Sequence, residues 1–474
     1  LGLIKTAGAG ESLLDLLETD LPQRVRRHLA HSLSTVGAAA SPDRAIAIAE
    51  EDDDAMVRAL CLRAAAGSPR VTELVEGAAR SRDVHLRRAA ASVLRDGSAR
   101  PSVEASGRLL SDSDALVRTL AVQGLENLQV RDRTDVLRRA LEDDDAEVRL
   151  AGAAQCGRVG GSCVDVAVER AGRAEELAER LAMVEAVADR VDESPDRWVD
   201  LLDWPGPVRA LAYRRLGSKS GYDDLLASKL AGERDGQARE ALITALGERK
   251  VGSVVPALIR EHGRGNHVLA LAATEALLSI GVSEAEVPAL LAVFPRAKQM
   301  QTKLGLMHLL GSIERISDPR VYELAERMNK TRMKDHHLIR ALVKIYSRLT
   351  DPRADRYRVD HDLYTNFHNQ FWLYGYSLRP RRPAPGEKAV LRTVWSIRWN
   401  QPEKSFNFIH LEGGPKMVPI NRQTVAGKRI NRWPRCQIMV DELELTVPEP
   451  ASRLTILTGW HRGGGRAPVM YGEE

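Results

Sequence analysis

The sequence predicts a multidomain chain in which an α-solenoid of about ten or eleven short helical hairpins precedes a C-terminal β-sandwich. Three observations lead to this fold class. A motif of Asp, Val and Arg followed by Leu and Ala recurs through the first 350 residues. The aromatic residues are uneven, since 14 of the 21 Phe, Trp and Tyr lie in the last 124 positions. In that same C-terminal part the apolar residues alternate with a period of two, which is typical of strands.

The charge distribution also divides the chain into two differently built parts. Residues 1–350 carry 50 Lys and Arg against 52 Asp and Glu, whereas residues 351–474 carry 19 against 13. A chain of 474 residues has room for two or three domains. No apolar run reaches 18 residues, so we expect no transmembrane helix. The sequence leaves open whether a signal peptide or membrane anchor precedes Leu1.

The repeated motif predicts the helical hairpins. Its clearest copies are DDDAMVRALCLRAAAG (52–67), DSDALVRTLAVQGL (112–125) and DDDAEVRLAGAAQCG (143–157). The motif arginines recur about every 30 residues, at Arg26, Arg58, Arg87, Arg118, Arg149, Arg209 and Arg239. Leu181 takes the arginine position in a degenerate copy, and looser units lie around Lys303 and Arg340. The leading Asp is a preferred helix N-cap, and the apolar spacing is that of a half-buried helix. Each hairpin therefore needs its neighbours to bury its apolar face.

This motif resembles the HEAT-repeat family, and most closely its short bacterial variant, the phycobilisome-lyase-type HEAT-like repeat with its D-x-x-V-R signature. The resemblance covers residues 1–350, and residues 175–205 and 297–334 depart from the pattern. It implies a structural ladder in which the Asp of one unit pairs with the Arg of its own or the next unit. The residues carried over are Asp54, Arg58, Asp114, Arg118, Asp145 and Arg149.

After Leu349 the repeat stops, and residues 351–383 form an aromatic and basic bridge that ends in a proline-rich turn. Residues 384–474 then form the predicted β-sandwich, with strands at 389–399, 406–411, 436–445 and 453–462. The segments PGE (385–387), FNFIHL (406–411) and RWP (432–434) resemble a jelly-roll or Ig-like sandwich of bacterial envelope proteins. That resemblance implies an accessory role and an envelope location, periplasmic or membrane-associated rather than cytoplasmic. His410 is predicted to be a strand residue at an edge of this sandwich.

Basic and aromatic side chains of the C-terminal part define a candidate interaction surface: Arg379, Arg381, Arg382, Lys428, Arg429, Arg432, Arg435 and Trp433. Its positive charge suits an acidic protein face or an anionic membrane surface. Trp433 and Trp460 are also candidates for stacking on a glycan. Nucleic acid is disfavoured, because the solenoid has no excess of basic residues.

The sequence predicts no catalytic set, no cofactor and no metal site. No phosphate-binding loop, nucleophile elbow or zinc-protease motif occurs in the chain. His361 and His368 lack a third ligand at suitable spacing. The four cysteines are predicted to be small buried side chains, with a disulfide or a site between Cys156 and Cys163 left open. We therefore expect a non-catalytic scaffold or adaptor that assembles other protein subunits. A glycan-binding module is the alternative, and a nucleic-acid binder is the third reading.

Overall fold

The structure is a computed structural model, and it describes most of the chain. The described residues are 8–38, 41–128, 130, 132–331, 336–367, 371–397, 405–412, 418–422, 424–425, 428–429, 432–433, 436–449, 455–462, 465–466 and 469–471. They form two compact units, residues 1–208 and 209–474. A run of helical hairpins is followed by antiparallel sheets, as the sequence predicts at this level.

The first unit is helical. Its α-helices are α1 (Ala9–Leu17), α2 (Gln23–Val36), α3 (Pro42–Glu51), α4 (Ala55–Ala64), α5 (Val71–Ala79), α6 (Val84–Arg95), α7 (Val103–Leu110), α8 (Ala115–Gln123), α9 (Arg133–Leu141), α10 (Ala146–Val159), α11 (Ser162–Arg173), α12 (Leu177–Ala186), α13 (Ala188–Val191) and α14 (Asp196–Asp200). Short 3-10 turns lie at Leu125–Asn127 and Leu201–Asp203, and α15 (Gly206–Gly217) spans the boundary to the second unit.

The second unit continues the hairpins and then turns into strands. Its remaining α-helices are α16 (Asp223–Lys229), α17 (Gly236–Glu248), α18 (Val255–Glu261), α19 (His267–Ile280), α20 (Val287–Val293), α21 (Met300–Ser312), α22 (Pro319–Asn329) and α23 (His336–Arg348), with a 3-10 segment at Pro352–Tyr357. The strands are β1 (His361–Phe367), β2 (Phe371–Arg379), β3 (Lys388–Ile397), β4 (Ser405–Glu412), β5 (Val418–Arg422), β6 (Thr424–Val425), β7 (Lys428–Arg429), β8 (Met439–Thr446), β9 (Thr455–Arg462), β10 (Gly465–Arg466) and β11 (Val469–Tyr471).

Aspartates begin the second helix of the hairpins that carry the motif. Asp54, Asp83, Asp114, Asp145 and Asp235 each stand at a helix N-cap, and each side chain accepts a hydrogen bond from a backbone N–H of the first turn. A carboxylate at this position satisfies donors that have no partner inside the helix. The motif Asp therefore fixes where these five helices start.

Small residues let successive second helices approach closely. A Cβ on Gly247 in α17 would lie 2.6 Å from the Cα of Ala276 in α19, and one on Gly305 in α21 would lie 2.5 Å from the Thr274 hydroxyl. These spacings leave no room for a larger side chain. Packing between these second helices is consequently tight.

The C-terminal strands form two larger antiparallel sheets and one small ribbon. The five-stranded sheet has the order β11-β1-β2-β3-β8, the four-stranded sheet β10-β9-β4-β5, and the ribbon pairs β6 with β7. Residues of both larger sheets share two buried clusters, one of which contains Leu391, Ile409 and Leu445. Arg422 on β5 also pairs with the buried Asp441 on β8 at 2.6 Å.

The five-stranded sheet is buried on both faces. Phe371 and Leu373 of β2 pack into one shared cluster, whereas the alternate residues Trp372 and Tyr374 point to the other face and are equally buried. There the Trp372 ring stacks on His336 of α23 at 4.3 Å. The last helix of the repeats therefore covers the outer face of this sheet.

Several positions differ from the sequence predictions. Residues 361–379, which were placed in the bridge, form β1 and β2 of the five-stranded sheet. β5 occupies 418–422, where no strand was predicted. Cys156 and Cys163 are joined by a disulfide, with their Cα atoms 5.2 Å apart, while Cys61 and Cys436 are free and buried. The sequence favoured small buried side chains at these two positions and left a disulfide open. The disulfide forms because the turn at Gly160 and Gly161 brings α10 and α11 together.

Candidate interaction surfaces

The motif arginines form a regular set of ion pairs, each of which we call a rung. Arg118 donates from Nε and Nη2 to both carboxylate oxygens of Asp143, at 2.8 and 2.7 Å. Asp143 is not the capping Asp of the next unit but lies two residues before it. The same arrangement joins Arg87 to Asp112. The intact rungs are Arg26–Asp52, Arg87–Asp112, Arg118–Asp143, Arg149–Glu179, Arg209–Glu233 and Arg239–Glu261.

Rung arginines also join their own loop to the helix that follows. The Nη1 atom of Arg118 donates to the carbonyl oxygens of Asp112 at 2.8 Å and Ser113 at 3.4 Å. Arg149 makes the equivalent contacts with Asp143 and Asp144. The guanidinium thus uses its fixed fork of donors on one carboxylate and on backbone carbonyls at once.

The acids of the rungs serve twice. One oxygen of Asp143 also accepts the backbone N–H of Asp145 at 2.9 Å. Burial alone would raise the pKa of Asp143, but the hydrogen bonds from Arg118 and from this N–H hold the pKa below its ordinary value. The hydrogen bond from Arg149 likewise lowers the pKa of Glu179. These carboxylates are therefore charged and fully engaged near neutral pH.

The capping aspartates named by the resemblance take part in a different way. Asp54 and Asp114 accept hydrogen bonds from Arg27 and Arg88, each one residue past a rung arginine. Asp145 only caps α10 among the contacts that the described residues show. The rung acids two residues earlier were missed, although a constant separation of 25 residues from Arg87 and Arg118 marks them. In the degenerate unit Arg180, rather than the predicted Leu181, donates to its own loop at the Ala174 carbonyl oxygen.

Arg58 is the motif arginine whose rung is interrupted. In the next unit, the residue two positions before the capping Asp83 is Ser81 instead of an acid. The Nε atom of Arg58 is buried and has no hydrogen-bond partner among the described residues. Among the described residues, Arg58 therefore has no hydrogen-bond partner, whereas Asp145 caps its helix but has no arginine partner.

Grooves with an apolar floor and a charged rim open between successive first helices. The α3–α5 groove has a volume of about 460 Å³, with Leu62 and Leu74 in its floor and Glu50, Glu73 and Arg80 at its rim. The α7–α9 groove of about 330 Å³ is lined by Val103, Leu110, Val136, Asp135 and Arg139. In the second unit the α20–α22 groove of about 360 Å³ is lined by Leu291, Phe294, Leu324, Arg320 and Glu323.

The basic surface predicted for the C-terminal part is divided. Arg379 and Arg381 both bind the carboxylate of Asp360, whose pKa the hydrogen bonds from these arginines hold below its ordinary value. Arg382 and Arg432 are exposed. Arg435 lies outside the described residues, as do the side chains of Lys428 and Arg429. The free positive charge of this surface is thus smaller than the sequence suggests.

The tryptophans proposed for this surface are core residues. Trp433 is 3% exposed and Trp460 is fully buried, and both pack in the cluster that contains Trp395. The prediction of Trp433 as a surface residue was wrong, because its ring packs against Trp460 in the buried cluster that residues of both larger sheets share. The same burial removes the two residues on which glycan stacking depended.

The histidines singled out by the sequence are structural or undescribed. His410 is buried on β4, which lies between β9 and β5, so it belongs to an interior strand and not to an edge. His361 stacks on Tyr376 at 4.7 Å, and His368 lies outside the described residues. Within the described ranges, no group of three or more His, Cys, Asp or Glu side chains has metal-binding geometry. Over the same ranges, no helix combines the length and apolar character that a membrane span requires.

No protein-family model matches the chain, and no curated protein matches it. Among solved structures, a mutant of the karyopherin Kap121p aligns at 9% identity and a TM-score of 0.49, over 72% of this chain and 46% of that chain. Yeast importin-β (Kap95p) aligns at 13% identity and a TM-score of 0.41, over 72% and 57%. YibA of E. coli aligns at 15% identity and a TM-score of 0.30, over 62% and 98%. The chain spans about half the length of the first two, and at these scores the similarity carries no argument about family, partner or activity.

Proposed function

We propose that the chain is a non-catalytic scaffold that binds other proteins along the grooves between its first helices. The observation that carries this proposal is the recurrence of one groove design. The α3–α5, α7–α9 and α20–α22 grooves all combine an apolar floor with charged residues at the rim. Protein interfaces share this arrangement, with a desolvated apolar centre inside a polar margin.

The α7–α9 groove is the place to test the proposal. Val103 is 52% exposed at its edge, so it is an apolar side chain that water reaches in the free chain. The variant Val103→Glu puts a charge into the proposed interface without disturbing a buried contact. Leu116→Glu is a matched control, because Leu116 is 47% exposed at the start of α8 and does not line this groove.

The experiment is affinity capture from cells of the native host, followed by binding measurements with the purified captured protein. We expect the partner to bind the unchanged chain and the Leu116→Glu variant with equal affinity. Val103→Glu should weaken binding at least tenfold, since a buried unpaired carboxylate costs more than 1.4 kcal/mol. Equal binding by both variants would reject this groove, and a chain that binds no protein while turning over a substrate would reject the scaffold.

We further propose that the repeats are of the short HEAT-like type and that the two larger sheets form a sandwich of the Ig-like or jelly-roll kind. We also propose that the scaffold and its protein partners lie at a bacterial cell envelope. The envelope location is supported by the Cys156–Cys163 disulfide, because disulfides persist mainly in oxidising compartments. Fractionation of native cells with an antibody against the chain tests the location. Recovery in the cytosol with all four thiols reduced would contradict it.

A further inference from the structure

The rung at Arg58 lacks the acidic side chain that completes the neighbouring rungs. In the intact rungs the arginine and its acid are separated by 22 to 30 residues. Arg58 and Ser81 are 23 residues apart, within that range. The acid of the next unit is thus replaced by a hydroxyl at the same position of the repeat.

The loop around Ser81 has the same hydrogen bonds as the loops with acids. Arg87 donates from Nη1 to the carbonyl oxygens of Ser81 at 3.2 Å and Arg82 at 3.1 Å, as Arg118 does in its own loop. The Ser81 hydroxyl accepts the backbone N–H of Asp83 at 3.1 Å, where Asp112 accepts that of Asp114 at 2.9 Å. The Ser81 hydroxyl therefore accepts the same backbone hydrogen bond as one carboxylate oxygen of the acid, but Ser81 has no second oxygen that Arg58 could bind.

The consequence is a half-buried guanidinium that faces a groove. The side chains of Arg58 and Ser81 both line the α3–α5 groove, together with the exposed Arg80. Arg58 Nε is buried without an acceptor among the described residues, which is costly unless something supplies one.

The other charges of the groove select a singly charged anion. Glu50 at the rim is paired with Arg70 at 3.0 Å, while Glu73 is exposed. A phosphate dianion would face both of these carboxylates, whereas one carboxylate can reach the guanidinium with less repulsion. The floor contains Leu62, Leu74 and Leu86, which suits apolar side chains on either side of the anion.

We propose that the α3–α5 groove binds an acidic side chain of a protein partner, whose carboxylate accepts the Arg58 hydrogen bonds and completes the interrupted rung. This inference rests on the proposed scaffold function and names the chemistry that one groove recognises. The partner's Asp or Glu would occupy the place that Asp112 and Asp143 occupy in the intact rungs.

The test uses the full chain and a variant in which the chain completes the rung itself. Ser81→Asp restores the acid found in the other units, so it should fold, keep the cap on Asp83 and occupy Arg58. Ser81→Asn keeps a hydrogen-bond acceptor without charge and is its control. Arg58→Gln removes the donor, and Arg63→Gln is matched to it, because Arg63 is exposed on the same helix and does not line the groove.

A displayed library of random 12-residue peptides is selected on the unchanged chain and the recovered peptides are measured by fluorescence anisotropy. We expect them to share one acidic position flanked by apolar residues. Changing that acid to its amide, or the chain to Arg58→Gln or Ser81→Asp, should weaken binding about ten- to hundred-fold, whereas Ser81→Asn and Arg63→Gln should change it less than threefold.

The inference fails if no peptide is recovered, if the recovered peptides lack a shared acid, or if they bind Ser81→Asp as well as the unchanged chain. These outcomes are separate from those of the scaffold test. A captured partner that depends on Val103 but not on Arg58 overturns the inference and leaves the scaffold in place. If acidic peptides bind through Arg58 but no protein partner is found in cells, the groove's preference for an acid is supported and the scaffold function is rejected.

Discussion

The most buried rung, Arg239–Glu261, provides a quantitative test of the ladder. The two side chains are only 5% and 1% exposed, and Arg239 Nη2 lies 2.5 Å from a Glu261 oxygen. Arg239 also donates to the carbonyl oxygens of Leu230 and Glu233, both at 2.7 Å. The variant Arg239→Met keeps the apolar stem but removes all of these donors.

The expected loss of stability depends on the Glu261 carboxylate, which stays buried in the variant. In the variant Glu261 keeps one cation, Arg264 at 3.3 Å, whose side chain is 48% exposed and therefore screened by water. Breaking one partner out of a buried ion pair costs about 3–5 kcal/mol, because the other charge stays buried without compensation. For a unit of this size that corresponds to a fall in Tm of roughly 6–20 °C.

The assay is urea unfolding at neutral pH, followed by circular dichroism and by tryptophan fluorescence. Arg264→Met is the control and should cost less than about 1 kcal/mol, since it removes a half-exposed partner. The double variant Arg239→Met with Glu261→Gln should recover part of the loss, because no uncompensated charge then remains. The reasoning is refuted if Arg239→Met costs no more than Arg264→Met.

Three further predictions follow from single sites. Burial tends to raise the pKa of Glu233, but hydrogen bonds from Arg209 and the backbone lower it to about 2, below its ordinary 4.5; the stabilisation is therefore present above pH 4.5 and lost as the pH falls towards 2. The free energy of unfolding should be measured as a function of pH for the unchanged chain and for Glu233→Gln. Between pH 4.5 and 2 the unchanged chain should lose up to about 3 kcal/mol more stability than the variant, and equal losses would contradict this. Gly247→Ala should cost about 1–3 kcal/mol of stability, because its Cβ would overlap Ala276. Gly107→Ala in α7 meets nothing within 4 Å and should stabilise the chain by up to about 1 kcal/mol. Thermal unfolding that shifts Tm in the same direction for both variants would reject the packing argument. Alkylation of the denatured chain, read by mass spectrometry, should label two cysteines before reduction and four afterwards, and four labels without reduction would contradict the disulfide.

The helical repeats were predictable because their signal is local and repeated. The Asp at each N-cap and the apolar spacing act within one helix, so every copy of the motif reports the same geometry. The partner of each arginine was less accessible, since it depends on how two hairpins stack. Only the constant separation between Arg87 and Asp112, and between Arg118 and Asp143, carries that information in the sequence.

The C-terminal strands were harder to predict where both faces are covered. β2 reads FWLYGY without alternation, because Phe371 faces the shared cluster while Trp372 faces the last helix. A run that is apolar on both faces cannot be assigned by a period of two. Trp433 was misplaced for a related reason, since the sequence does not show which aromatic residue fills the space between two sheets.

The domain boundary predicted at residue 384 can be tested, because it separates strands that share one buried cluster. The predicted domain 384–474 lacks β1 and β2, which lie inside the five-stranded sheet next to β3. It thereby loses Phe367, Phe371 and Leu373 from the cluster around Trp395. Removing one such side chain costs about 2–5 kcal/mol. The loss of three is comparable with the whole stability of a domain, about 5–15 kcal/mol.

We therefore propose that the boundary lies before β1 and not at residue 384. Expressed alone, 384–474 should be insoluble or unfold without a cooperative transition, whereas 351–474 should fold with lower stability than in the full chain. The second expectation follows because Trp372 loses its stacking on His336 when the repeats are removed. Co-expression of 1–350 with 351–474 should restore part of that stability through the covered sheet face. Thermal unfolding of the three segments measures the order, and a cooperative transition in 384–474 at the temperature of the full chain would place the boundary where the sequence put it.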